Sequence, residues 1–170
     1  LFAPQRMYEI IPVASLIAIA ASVLTAFRGP VPVPFSILAG NLGFAIAFLL
    51  ALRGFQNVRG VSHRRPIFEA AILVLMALGL SYFTFVDFDT AARIIIGESL
   101  FAAMCLVGAI DLFRERRTDL RAACSFVAVL FVIYGIALAL AVVTTFFAGA
   151  ETDYLQTRTP FTALAILVTP

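Results

Sequence analysis

Apolar runs and polar breaks alternate along the chain at a spacing that suits helices crossing a bilayer. The full runs are Ile10–Phe27, Phe35–Leu52, Ile67–Val86, Ala92–Phe113 and Ala122–Ala148, and a sixth starts at Phe161 and reaches Pro170. A helix rising about 1.5 Å per residue needs about 20 residues to cross the hydrocarbon, which these lengths match. Barrel strands would alternate over about ten residues, whereas these runs are apolar on every face. The pattern predicts an all-α, polytopic transmembrane bundle of five full spans plus a truncated sixth over residues 161–170.

The breaks have their own character. Prolines at 30, 32 and 34 remove backbone donors, so that linker is expected to be extended. Polar loops are expected over Arg53–Pro66, Asp87–Asp89, Arg114–Arg121 and Gly149–Pro160. The first run is too long for a signal-peptide core and has no cleavage site. Residue 1 is Leu and the last run covers half a crossing, so the chain reads as a fragment, residues 1–170 forming one transmembrane input or anchor domain. Ala14, Ala18 and Ser22 on the first helix, and Ala39 and Gly43 on the second, form small-residue rows that let helix backbones approach.

Composition strengthens the membrane reading. Hydrophobic residues make up 62% of the 170 and charged residues 13%, against roughly 45–50% and 25% in soluble domains. Mean hydropathy is +1.05. All 12 basic residues are Arg, nine in the breaks on one side of the bundle and three on the other. The Arg-rich side is expected to be cytoplasmic, which leaves Asp87, Asp89, Glu151 and Asp153 outside.

The same counts restrict chemistry. Without Lys there is no Schiff-base amine, and with His63 as the one histidine no bis-histidine haem can form within the chain. Cys105 and Cys124 lie in separate apolar regions without a CxxC or Cys/His cluster, which argues against zinc or iron–sulfur ligation and for two buried free thiols. No phosphate loop, GxSxG, HExxH or triad can be assembled, so no catalytic, cofactor-binding or metal residue is assigned. A net charge of +2 gives no reason to expect nucleic acid.

Three polar residues within the spans stand out as candidates for sensing or packing. Glu98 is an acid inside the fourth run, where burial in hydrocarbon costs about 2.5–3.5 kcal/mol at mid-membrane; nearer the end it can reach the interface or pair with a neighbour. Arg93 precedes it by five residues, a separation that places the two on different faces. Asn41, flanked by Gly40 and Gly43, is suited to an interhelical hydrogen bond. Asp111 and Glu115, four residues apart, suggest a salt-bridged helix end in an Arg cluster that attracts anionic headgroups.

Certain segments carry a family resemblance. They are Phe27-Arg28-Gly29-Pro30-Val31-Pro32, Ser36-Ile37-Leu38-Ala39-Gly40-Asn41, Leu52-Arg53-Gly54-Phe55, Ala92-Arg93-Ile94-Ile95-Ile96 with Glu98-Ser99, and Asp111-Leu112-Phe113-Arg114. Together they resemble the N-terminal multi-helix membrane region that precedes GGDEF output domains in bacterial diguanylate cyclases. The resemblance implies a sensory or anchoring module in a bacterial inner membrane, with the lipid bilayer, a second copy in a homodimer and a cytoplasmic output domain in cis as partners. It implies that the enzyme activity, cyclic di-GMP synthesis from GTP, belongs to a segment outside this sequence, since no GGDEF motif occurs here. The residues alone also admit a histidine-kinase input domain, a small transporter or permease, or an assembly subunit.

Overall fold

The structure, a computed structural model, describes residues 7–27, 32–59, 66–114 and 118–148. They form five helices and, among the described residues, no strand: α1 (Met7–Ala26), α2 (Val33–Arg59), α3 (Pro66–Phe85), α4 (Thr90–Phe113) and α5 (Thr118–Ala148). The all-α expectation holds. By length and composition, four helices can cross a membrane: Val33–Asn57 within α2, all of α3, all of α4, and Leu120–Phe147 within α5.

The expected five spans plus a sixth are not met in full. Apolar sequence in α1 is limited to Ile10–Ala26, about 26 Å at the helical rise and short of the roughly 30 Å core. Its first turn, Met7-Tyr8-Glu9, includes an acid. Residues 161–170, the expected sixth run, lie outside the described residues.

Helix ends also depart from the hydropathy boundaries. The segment Arg53–Arg59, expected to be a loop, continues α2 as helix, and α5 starts at Thr118 rather than Ala122. Arg, Gln and Asn propagate a helix once it is nucleated, so polarity alone did not end it. Of the proline linker, Pro34 belongs to the first turn of α2 and the Pro32 carbonyl accepts from the Ser36 N–H at 3.1 Å. Proline is tolerated there because first-turn amides have no helical acceptor.

Two helical hairpins dominate the packing, α1 with α2 and α4 with α5, while α3 makes lighter contacts with α2 and α4. The α1–α2 seam is built on small residues. A methyl group at Gly43 would lie 3.0 Å from Ala21 Cβ, and one at Gly40 would lie 2.6 Å from Thr25 Oγ1; at the far end Gly54 abuts Ile11. The expected rows are thereby corrected: Ala14 and Ala21 are buried, whereas Ser22 Oγ donates to the Ala18 carbonyl of its own helix. On α2 the close approach runs through Gly40 and Gly54 as well as the expected Gly43. In lipid, where apolar surface gains little by leaving the solvent, such proximity supplies the dispersion energy of association.

The hairpins meet at Gly108 of α4. A Cβ there would lie 2.8 Å from Leu52 of α2 and 3.1 Å from the Phe131 ring of α5, and Phe131 stacks at 5.1 Å on Phe48 of α2. Alongside, Ala45 and Leu49 (α2), Ile72, Met76 and Leu80 (α3) and Met104 (α4) form a three-helix core. Large side chains facing away, such as Leu16, Leu78, Phe126 and Phe146, are exposed, as lipid-facing surfaces require. Replacing Gly43 with Leu is expected to lower the stability of the detergent-solubilised protein by about 1–3 kcal/mol through overpacking. Leu16→Ile, on an exposed position, leaves it unchanged; thermal unfolding monitored by circular dichroism reads both.

Candidate functional site

The helix α4 carries two of the three candidate residues, and its geometry starts from the turn before it. Asp89 adopts an extended conformation (φ −112°, ψ 109°) and its side chain accepts from the Ala92 N–H at 3.1 Å, capping the helix. The Asp89 carbonyl accepts from the Arg93 N–H. Arg93 therefore emerges one turn in, and folds back: Nη2 donates to Thr90 Oγ1 at 2.6 Å and Cζ sits 4.8 Å from the centre of the Phe88 ring.

Arg93 is 7% exposed, and its Nη1 has no hydrogen-bond acceptor among the described residues. Thr84 Oγ1, in the last turn of α3, is likewise buried and unpartnered. Both lie at the end of the bundle formed by the α3–α4 turn. Each unmet buried donor costs about 1–3 kcal/mol, and a charged one more. Elsewhere the same problem is solved within a helix: Ser15, Ser22, Thr25, Ser36 and Thr144 each donate to a carbonyl three or four residues earlier.

Asn41 is half-buried and its Nδ2 donates to the Ile37 carbonyl at 2.7 Å. The expected interhelical bond is thus replaced by one within α2, the intrahelical carbonyl being the nearest acceptor in apolar surroundings. Its Oδ1 faces α4, 3.9 Å from where a Cβ on Gly97 would stand. Gly97 is four residues beyond Arg93, so Asn41 and Arg93 belong to the same α2–α4 side.

Glu98 is on another face, as its separation from Arg93 implied. It continues the row Ala102, Cys105 and Ala109 that packs on α5, and it lies within electrostatic range of Tyr134 on that helix. The structure thus brings Asn41 and Arg93 toward one interface of α4 and Glu98 toward the opposite one. Asp111 is buried in the last turn of α4; its expected partner Glu115 lies outside the described residues, as does His63.

At the Arg-rich end, Arg53 on α2 and Glu69 on α3 form an ion pair, Nε donating to Oε2 at 3.0 Å and Nη2 donating to the same oxygen. It closes one end of a groove of about 220 Å³ lined by Ile46, Leu49, Leu50, Pro66, Ala70 and Leu73. Sequence reasoning missed this pair because Arg53 was read as loop; Glu69, the acid in the head of an apolar run, was the available signal. Thr84 and Tyr134 were also missed, and a Thr or Tyr in a span carries no distinguishing pattern. Among the described residues no group of three or more His, Cys, Asp or Glu could hold a metal ion. No protein-family model, curated protein or solved structure matches the chain.

Replacing Thr84 with the near-isosteric Val removes an unmet hydroxyl without opening a cavity. The variant is expected to unfold at the same temperature as the parent or higher, by up to about 1–3 kcal/mol. By contrast, Thr25→Val, which loses the bond to the Ala21 carbonyl, gains nothing in the same thermal melt.

Proposed function

We propose that the chain is the membrane-embedded input and anchoring region of a bacterial signalling protein whose output domain, outside this sequence, is a cytoplasmic diguanylate cyclase. The observation that carries this reading is the position of α4. It joins a tight α4–α5 hairpin to the α2–α3 side of the core, and it holds an ionisable residue on each interface, Arg93 toward α2 and α3, Glu98 toward α5. Ionisable groups inside a bilayer-spanning bundle are costly and mark functional positions. The resemblance of the Arg93–Ser99 and Asp111–Arg114 segments to the membrane region of GGDEF proteins supplies the type of output.

In this reading a stimulus shifts α4 between two packings, and its displacement at the Asp111–Arg114 end is passed to the Arg-rich connector and the output domains of a homodimer. The light contacts of α3 with its neighbours, between two tightly packed hairpins, make the hairpins the natural rigid bodies of such a shift. A stimulus acts only through different affinity for the two packings.

The bundle is placed in the bacterial inner membrane with the Arg-rich ends in the cytoplasm. Helix α1 packs along α2, their contacts running from Thr25–Gly40 at one end to Ile11–Gly54 at the other.

Two measurements test the reading. In the full-length protein, Glu98→Gln is expected to change stimulus-dependent cyclic di-GMP production about fivefold or more, the scale of allosteric coupling. Equal output under every stimulus tried removes Glu98 from sensing, and downstream codons for a histidine-kinase core rather than GGDEF replace the assigned output. For topology, in a Cys105→Ser, Cys124→Ser background, a membrane-impermeant thiol reagent is expected to label Phe88→Cys in intact cells and to spare Arg114→Cys. The reverse pattern inverts the bundle.

A further inference from the structure

Arg93 Nη1 and Thr84 Oγ1 are the two buried side-chain donors without an acceptor among the described residues, and both belong to the α3–α4 end of the core. Thr84 ends the buried row Ile72, Met76 and Leu80 of α3. Arg93 begins the buried row of α4 that continues through Gly97 and Met104. Both rows pack into the one core that α2, α3 and α4 share, so both donors face its α3–α4 end, beside the N-terminus of a 24-residue helix.

We infer that this end of the core is a binding site for a singly charged anionic oxygen group, a carboxylate or phosphodiester, admitted when the α3–α4 turn lifts. The inference deepens the sensory reading above and rests on it only for its consequence, not for the binding. A guanidinium whose Nη2 is fixed by Thr90 and whose face is held by Phe88 presents Nη1 in a defined direction, and a carboxylate or phosphate oxygen is its natural acceptor. The positive end of the α4 dipole favours the same charge.

The acids nearby set the ligand's valence. Asp89 attracts Arg93 electrostatically, but its Oδ1 is engaged by the Ala92 N–H and it leaves Nη1 without a bond. Asp87 is exposed on the turn, and Glu98 faces α5. With two aspartates at the entrance, a dianion is repelled more than a monoanion.

The closed packing leaves both donors unmet, and an open packing with the anion bound satisfies them. A ligand of this kind therefore discriminates between the two packings, as a stimulus must. Phe88, exposed and lying over the guanidinium, is the part of the turn that moves.

The chemistry is shared by a lipid headgroup and a soluble anion, and the test separates them. The full-length protein, selectively labelled with ¹⁵N-arginine, is studied in uncharged detergent with dimethyl phosphate, acetate or sulfate as probe. The Arg93 side-chain signal is assigned from Arg93→Lys. Dimethyl phosphate or acetate at about five times its Kd is expected to shift that signal and raise the melting temperature by about 2–4 °C. Sulfate does less, Arg93→Gln abolishes the effect, and Thr84→Val, which keeps the fold, weakens it. If the source is lipid, phosphatidylglycerol nanodiscs reproduce the shifted signal with no soluble anion, and glycolipid nanodiscs lacking phosphate do not. A signal that moves with neither source, or an equal stabilisation of wild type and Arg93→Gln, overturns the site. Binding without any change in cyclase output leaves the site standing and overturns the sensory reading.

Discussion

Close approach of helix backbones through small residues is the constraint on which this structure depends. Lipid tails are as apolar as leucine, so hydrophobic transfer does not drive helices together inside a bilayer. What remains is dispersion at short range, and it falls steeply with a gap of even an ångström. Gly40, Gly43 and Gly54 let α1 reach α2, and Gly135 of α5 sits beside Cys105 and the Ala102 carbonyl of α4 with room for a methyl group. Gly108 then brings α2, α4 and α5 together under the Phe48–Phe131 pair. Larger residues at these positions would separate the hairpins and remove the interdigitation that orders the bundle.

The second constraint is the treatment of polar groups in apolar surroundings. The hydroxyls of Ser15, Ser22, Thr25, Ser36 and Thr144, and the Asn41 amide, return their hydrogen bonds to their own helix, so their cost is met locally and they say little about neighbours. Arg93 and Thr84 break this rule. Both stand at the α3–α4 end of the core, next to the turn that Asp89 caps.

These two constraints meet on α4. One face is committed to α2 and α3 through Gly97, Met104 and Gly108, the other to α5 through Ala102, Cys105 and Ala109. A rigid helix gripped on both sides cannot adjust one interface without disturbing the other, because packed interfaces switch rather than deform continuously. The separation of Arg93 and Glu98 onto these two faces gives each interface its own ionisable group.

Hydropathy by itself determined the all-α class, the four helices α2 to α5 that are long and apolar enough to cross a membrane, and the turn at Asp87–Asp89, while its fifth and sixth spans went beyond what the helices show, because about 20 apolar residues per crossing is a requirement of length and composition. The five-residue spacing of Arg93 and Glu98 likewise announced different faces, since helical periodicity is local. Boundaries were less legible: the helix at Arg53–Arg59 and the Val33 start of α2 depend on propagation from a formed helix rather than on polarity. Only the tertiary structure decided which small residues touch, that Arg53 pairs with Glu69, that Glu98 looks toward Tyr134, and that Arg93 Nη1 and Thr84 Oγ1 are left without acceptors at the α3–α4 end. Those facts follow from the rotation of each helix about its own axis, and on helices apolar all round no one-dimensional pattern records that angle.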